Sequence, residues 1–385
     1  MSDSRRAPSV VHVCTDFWPS TGGIQQFVRD LATRSVRAGT QVTVLCYNRA
    51  KGVDAILPAA ETLEGVSIRR VPFADLTYYK PAMLPLSVLN AHDVIHVHGV
   101  GAPLDFVALT KWVHKRAIVV STHGGIFHTA ALAPLKRIYF RQVVRRIMRH
   151  VDVVAACSKS DARLFSTITD RVVLIENAVA IDRHLALPAE QKVPGRCLYV
   201  GRLADNKGLD SLLRAAAVAR RSGARLTLRL VGPDVDGKRS SLEALAQSLG
   251  IAADVAFLGE VGEEALLREY AGAETFVSAS RYEGFGLAAI EAKAAGCRLL
   301  LHTNEAFRAM FESDAGATLV DFADEEIAGR TWAELVRFPM GADVRTARSG
   351  VEVFSWESKI SEWLALYGSL ASGDRSLPDC VGAPE

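Results

Sequence analysis

Cys197-Leu198-Tyr199-Val200-Gly201-Arg202-Leu203-Ala204-Asp205-Asn206-Lys207-Gly208 begins with a short apolar run that stops at a glycine and gives way to charged residues. A buried-type strand that ends in a glycine turn and leads into a segment of helical period is the opening of a βαβ unit. Downstream, Leu226 to Val231, Val255 to Leu258, Thr275 to Val277 and Leu299 to Leu301 read as further strands separated by helical segments. Upstream the same alternation occurs once more, in Val10 to Cys14, Gln41 to Leu45, Val94 to Val97, Ala117 to Ser121 and Val153 to Ala156, with amphipathic stretches such as Ile24 to Ala38 between them. Uninterrupted apolar runs are what strands covered on both faces look like, so the expected class is α/β with mostly parallel sheets. A pattern that runs twice through 385 residues predicts two Rossmann-like domains facing a central cleft.

The periodicity lapses between Asn177 and Gly195, a stretch that carries two prolines. It divides the chain into an N-terminal domain over 1–180, a linker over 181–195 and a C-terminal domain over 196–350. Trp356, Ile360, Trp363, Leu364 and Tyr367 recur at helical spacing, so 351–371 is read as a C-terminal helix that packs back towards the N-terminal domain. The polar stretch 372–385 is read as a flexible tail.

Composition narrows the function classes. A formal net charge of +2 leaves no broad basic excess for tracking nucleic acid. The nearest of the six cysteines, Cys14 and Cys46, are 32 positions apart, too far for a zinc knuckle or a redox pair, and reduced thiols are expected. The start MSDSRRAPSVV lacks the apolar stretch of a signal peptide, and no run of about 18 apolar residues occurs, so a cytoplasmic protein is expected.

Neither GxGxxG nor GxxxxGK[ST] is present. Three other glycine elements follow strands. Gly22 and Gly23 precede the helix near Ile24, where backbone N–H groups can meet an anion or a sugar hydroxyl; a plain βα turn is the alternative. Arg202 and Lys207 flank the turn after Val200, at the carboxyl end of a strand, and can neutralise a diphosphate from two directions; two solvated cations are the alternative. Glu283 and Glu291 bracket Gly284-Phe285-Gly286-Leu287, which places Glu283 in a loop and Glu291 inside the following helix. Carboxylates accept from vicinal hydroxyls of a ribose or hexose, and the helix start at Phe285, Gly286 and Leu287 can hold phosphates. Two ordinary surface glutamates are the alternative.

Gly22-Gly23, His123 in STHGG, Ser158 in ACSKS, GRLADNKG and the EX7E element from Glu283 to Glu291 together resemble the retaining glycosyltransferases of the GT-B fold, family 4, over nearly the whole chain. More narrowly, VVSTHGGIFHTA, RYEGFGLAAIEA and HVHG are similar to the mannosyltransferases that add α-1,3-linked mannose from GDP-mannose to cellobiosyl-diphosphopolyprenol in acidic exopolysaccharide assembly. The resemblance implies that Arg202 and Lys207 bind the donor diphosphate, Glu291 the ribose and Glu283 the transferred sugar. It implies that His123 lies by that sugar, that Ser158 supports the site, and that no metal or other cofactor is required. Gln25-Gln26 and Ala178 depart from the family pattern, which often has an acid after the glycine pair and ENGV between the domains.

Rival readings differ in class. Two carboxylates suit a glycoside hydrolase, but a hydrolase needs no cationic phosphate clamp. A non-catalytic nucleotide-sugar-binding scaffold at the membrane and the same fold with UDP-glucose or UDP-N-acetylglucosamine are the others. Asp234 and Asp236 form a DxD in sequence, and His96, His98, His123 and His128 could suggest a metal; structural histidines are the preferred reading.

Between Lys136 and His150 the chain has six basic residues, Lys136, Arg137, Arg141, Arg145, Arg146 and Arg149, and no acid. Ile138, Tyr139, Phe140, Val143, Val144, Ile147 and Met148 recur at roughly helical spacing, so this helix is expected to lay an apolar face into lipid and its arginines on anionic headgroups. Packing of that face on the protein's own sheet is the alternative. With the lipid-linked acceptor that the resemblance implies, the expected location is the inner face of the cell membrane, peripherally attached.

Overall fold

In the computed structural model, residues 7–20, 22–50, 55–77, 79–123, 137–188, 192–338 and 344–373 are described. The chain forms two compact units, Met1–Ala178 with Trp356–Glu385, and Val179–Ser355.

The first unit is built on eight strands among the described residues: β1 Ser9–Val13, β2 Gln41–Tyr47, β3 Ala60–Leu63, β4 Val66–Val71, β5 Val94–His98, β6 Ala117–Ser121, β7 Val153–Ala156 and β8 Val172–Leu174. They lie in the order β3-β4-β2-β1-β5-β6-β7-β8, parallel except for the hairpin between β3 and β4. The two-residue period sorts the side chains. Val42, Val44 and Cys46 of β2 meet Val28 and Ala32 of the helix Gly23–Arg37 on one face. Leu45 and Tyr47 join Ile95, Val97, Leu104, Phe140 and Phe165 on the other. The helix Trp356–Ala371 belongs to this unit and buries Trp356, Trp363, Leu366 and Tyr367.

The second unit has six parallel strands among the described residues: β9 Val193–Val200, β10 Thr227–Val231, β11 Val255–Gly259, β12 Ala273–Ser278, β13 Arg298–His302 and β14 Ala317–Val320. Their order is β11-β10-β9-β12-β13-β14. Tyr199, Leu228, Leu230 and Leu300 pack under the helices Leu209–Arg221 and Glu325–Arg337, while Leu198, Phe276, Leu299 and Leu301 pack under the helix Leu287–Ala294.

The described residues of the stretch read as a linker, 181–188 and 192–195, are structured. The helix Asp182–Leu185 and the first residues of β9 fall inside it, and the second unit begins at Val179, whose amide donates to the carbonyl of Phe354 at 2.8 Å. Ile181, buried in the core of that unit, holds the segment down, a contact that lost periodicity conceals.

Candidate active site

In the second unit the strand order reverses direction between β9 and β12, so their carboxyl ends splay apart into the crevice where open α/β sheets bind ligands. The two motifs singled out in sequence leave those two strands. Gly201 and Arg202 follow β9, and the loop carrying Glu283 follows β12. The amide of Arg281 donates to the carbonyl of Asn206 at 2.9 Å and ties the two loops together. Lys207 and Glu283 then meet: Lys207 Nζ is 2.6 Å from Glu283 Oε1, with only 15% and 16% of their side chains exposed. Arg202 is exposed beside them, its carbonyl held by the Tyr199 hydroxyl at 3.0 Å. Burial, reinforced by the Glu283 charge, keeps that phenol well above its ordinary pKa, so it stays a donor.

Backbone conformation explains two of the glycines. Gly208 (φ +61°) caps the helix Leu209–Arg221, and a Cβ there would run into the carbonyl of Ala279. Gly286 (φ +78°) caps the helix Leu287–Ala294, and a Cβ would stand 2.6 Å from the Phe307 ring. A side chain at Gly208 would force the two loops apart, and one at Gly286 would push the second loop off the helix Glu305–Phe311. Leu287, half-buried, opens the helix and directs its first N–H groups to the same end of the sheet.

Glu291 lies in the second turn of that helix, half-buried, and accepts from the Tyr270 hydroxyl through Oε2 at 2.7 Å. Tyr270 is fully buried, and burial with the Glu291 charge raises its phenol well above normal, so it remains a hydrogen-bond donor. Phe285 stands just before the helix start, where its backbone is the part read as a donor contact. Its ring is 6% exposed and packs edge-on to Phe354 at 6.0 Å, because the Gly284-Phe285-Gly286 turn points it into the core; only its backbone remains to face a ligand. Asp234 accepts the amides of Lys238 at 2.7 Å and Arg239 at 3.2 Å, where the helix Arg239–Ser248 begins. Tyr199, Tyr270 and Asn304, which donates to the carbonyl of Ser280 at 2.8 Å, support the site and escaped the sequence reading. Tyr199 on β9 and Tyr270 in the helix Glu263–Gly272 read as core from sequence, and no motif marks them.

In the first unit the reversal falls between β1 and β5. His12 of β1 pairs in register with His96 of β5, and His98 lies two residues on, facing the same way. His12 Nδ1 and His98 Nε2 are 2.9 Å apart, and His98 Nδ1 is 3.0 Å from Nε2 of His123, which follows β6 with φ +46°. His96 bonds to the Tyr367 hydroxyl at 2.7 Å and to Ser121 Oγ at 2.8 Å. Most of these ring nitrogens pair with one another or with hydroxyls, while His12 Nε2 is buried with no hydrogen-bond partner; His128 lies outside the described residues. Burial lowers His12 to about 3 and holds His96 and His98 well below the usual range, so all three are neutral near pH 7.

Gly22 caps the helix Gly23–Arg37 with extended backbone, φ 162°, and both glycines are exposed. Ser158 is an N-cap. Its Oγ accepts the amide of Asp161 at 3.2 Å at the start of the helix Lys159–Ser166, which gives it a helix-starting role.

The basic helix follows the alternative expectation. Phe140, Val144, Ile147 and Met148 are buried in the core under the sheet, so the face expected to enter lipid is occupied by the protein itself. Ile138 and Val143 remain exposed among Arg137, Arg141, Arg145, Arg146 and Arg149; Lys136 lies outside the described residues. Among the described residues no helix is long and apolar enough to cross a membrane.

Residues 21–183 match the family model Glycosyltransferase Family 4, and residues 186–336 match Glycosyl transferases group 1. A relative in Komagataeibacter xylinus, "GDP-mannose:cellobiosyl-diphosphopolyprenol alpha-mannosyltransferase", is 30% identical over 96% of this chain and 95% of its own. The "D-inositol 3-phosphate glycosyltransferase" of Streptomyces scabiei is 28% identical over 93% and 89%. Among solved structures, the sucrose-phosphate synthase of Thermosynechococcus elongatus superposes with a TM-score of 0.73 at 21% identity, covering 95% of this chain and 100% of its own.

Proposed function

The chain belongs to glycosyltransferase family 4 and has the GT-B fold, and from that premise we propose that it moves mannose from GDP-mannose, with retention, onto a lipid-linked oligosaccharide, cellobiosyl-diphosphopolyprenol, in exopolysaccharide biosynthesis. The observation that supports this most is the pairing of Lys207 with Glu283 at the reversal of the second sheet, with Arg202 beside them. In this reading Arg202, Lys207 and the amides at Leu287 carry the charge that builds on the departing diphosphate. They are in place before the reaction, so little reorganisation is needed. Glu283 binds hydroxyls of the transferred mannose, Glu291 those of the ribose, and His123 a sugar hydroxyl. Gly22 and Gly23 offer amides to the donor. The leaving phosphate takes the acceptor's proton, and no metal enters the scheme.

The acceptor places the work at a membrane surface. The exposed arginines Arg137, Arg141, Arg145, Arg146 and Arg149 meet anionic headgroups at the inner face, with Ile138 and Val143 as shallow contacts. Likeness to a D-inositol 3-phosphate glycosyltransferase favours a second reading, in which the same fold serves another donor and acceptor.

The test is to supply labelled GDP-mannose or UDP-glucose with cellobiosyl-diphosphopolyprenol and count label in the lipid phase for wild type and Glu283→Ala. Transfer from GDP-mannose that the variant loses is the expected result. Label arriving only from UDP-glucose overturns the donor, and release of free sugar without transfer to lipid overturns the transferase reading.

A further inference from the structure

The geometry points to a second ligand site in the first unit, a polar cavity on one face of β2 and β4 that fits a phosphorylated sugar, with Arg69 taking the phosphate and Thr43 accepting from a sugar hydroxyl. The transfer scheme makes no use of this cavity, so the inference goes beyond that reading and stands apart from it.

The strands explain why the cavity is there. Their two-residue period sets Val42, Val44, Val66 and Ile68 against the helix Gly23–Arg37 and turns Thr43, Ser67 and Arg69 to the opposite face. Thr43 and Ser67 are register partners, which brings the three polar side chains together. The helix that faces them, Leu86–Asn90, is only five residues long, and between it and the strands lies a cavity of about 400 Å³, within the range of small-molecule sites. It sits at the amino ends of β2 and β4, whereas Gly22 and His123 follow the carboxyl ends of β1 and β6.

Among the described residues no acid lines the cavity, and Arg69 is its one cationic side chain. Its neighbour Arg70 is fully committed, donating to the carbonyls of Pro58 and Trp18 and pairing with Glu61. The Arg69 guanidinium has no hydrogen-bond or ion-pair partner among the described residues, and neither have the hydroxyls of Ser67 and Ser87, which also line the cavity. A planar cation with two hydroxyl donors and no competing carboxylate is the chemistry that holds a phosphate.

Thr43 asks for something else. His92 Nδ1 is 2.8 Å from the carbonyl of Val88, which can only accept, so the ring hydrogen is on Nδ1 and Nε2 is the acceptor. Thr43 Oγ1, 2.9 Å from that Nε2, therefore gives its hydrogen to His92. Burial lowers the His92 pKa, so the ring is neutral above pH 7 and this polarity holds. Only lone pairs are left on Thr43 Oγ1 for a ligand, so it takes a hydroxyl and turns away an oxyanion. Arg69 stands two residues past Ser67 on β4, about 7 Å along the strand, so a single ligand must carry a phosphate at one end and a hydroxyl at the other, as a hexose phosphate does.

The test is calorimetric titration of full-length protein at pH 8 with mannose 6-phosphate and with inorganic phosphate. Mannose 6-phosphate should bind at least about tenfold more tightly than inorganic phosphate, and Arg69→Gln should weaken it by at least about tenfold, as loss of a hydrogen bond to a charged group does. Arg69 has no partner to lose, so this variant keeps the fold and carries the test by itself. Thr43→Val should weaken mannose 6-phosphate but not inorganic phosphate, and Thr43→Ser, which keeps the hydroxyl, should bind as wild type does; thermal unfolding checks both folds. Lys207→Met should leave binding unchanged. Absence of binding, or binding indifferent to Arg69→Gln, overturns the inference. Binding that Lys207→Met removes puts the phosphate at the donor site and overturns it as well. Equal affinity for the two probes means an anion held by Arg69 alone, which overturns the assignment to a sugar.

Discussion

Lys207 Nζ and Glu283 Oε1 stand 2.6 Å apart, joining the loop after β9 to the loop after β12 through two side chains mostly withdrawn from solvent. Each holds the other in place, so neither is a spare surface charge. Glu283→Gln and Lys207→Met should each lower kcat by about 10²-fold or more, as loss of a preorganised charge does. Because the two act as a unit, the double variant should fall well short of the product of the single effects in a double-mutant cycle. Independent, multiplying losses would show that the pair is incidental.

The Tyr270 hydroxyl fixes one Glu291 oxygen at 2.7 Å. Tyr270→Phe keeps the ring in the core and removes that bond. Donor KM should rise about tenfold, the worth of a hydrogen bond to a charged group, with kcat nearly intact. Initial rates against donor concentration separate the two; an unchanged KM would argue that Glu291 needs no support.

Ser158 starts a helix. Ser158→Ala should cost about 1 kcal/mol in urea unfolding, while Ser158→Asp, which can accept the same amide, should restore most of it. Below the melting range Ser158→Ala should keep most of its transfer rate. A collapse of kcat at unchanged stability would instead put this hydroxyl on the substrate.

Acid should unfold the first unit early. His12, His96 and His98 are neutral when folded and titrate near 6.5 when unfolded, so below that pH the unfolded chain takes up protons that the folded chain refuses. The stability they contribute is complete above about pH 6.5 and is lost as pH falls towards 3, by up to about 1.4 kcal/mol per unit for each. Asp30 and Asp105, whose carboxyls burial pushes up, act in the opposite sense. Urea midpoints at pH 7, 6 and 5 should decline, and less steeply for His12→Asn; a flat profile would mean the cluster is hydrated.

Replacing Arg141, Arg145 and Arg146 with Glu should abolish sedimentation with anionic vesicles while donor binding persists. Wild-type binding should weaken steeply with salt, since the apolar residues of this helix are largely committed to the core. Sedimentation that survives both the substitutions and salt would point to apolar insertion elsewhere.

The repeated βαβ pattern was legible because fully covered strands are written as unbroken apolar runs, as in Val94 to Val97 and Leu299 to Leu301. The edges were not. β3, β8 and β14 are three or four residues long, and β4 carries two arginines, Arg69 and Arg70, so neither length nor periodicity marks them. At the site, residues that follow strands were found because glycines punctuate them, and the structure brings Arg202, Lys207 and Glu283 to one sheet end. A motif does not say which way a side chain turns, and the Phe285 ring packs in the core against Phe354. The basic helix shows the same gap: Phe140 and Val144 have the spacing of a lipid-facing stripe, and only the neighbouring Phe165 shows that the stripe was already taken. His12 escaped notice because its partner, His98, is 86 positions away.

The helix Trp356–Ala371 gives the two units different histories during synthesis. The second unit, Val179–Ser355, is continuous and can close as soon as it has left the ribosome. The first is begun earlier yet finished later. Until residues 356–371 have been translated, His96 lacks the Tyr367 hydroxyl and Phe27 lacks the rings of Trp356 and Trp363, at 5.2 and 6.0 Å. The nascent chain therefore carries an open aromatic seam for the time it takes to make a whole second domain.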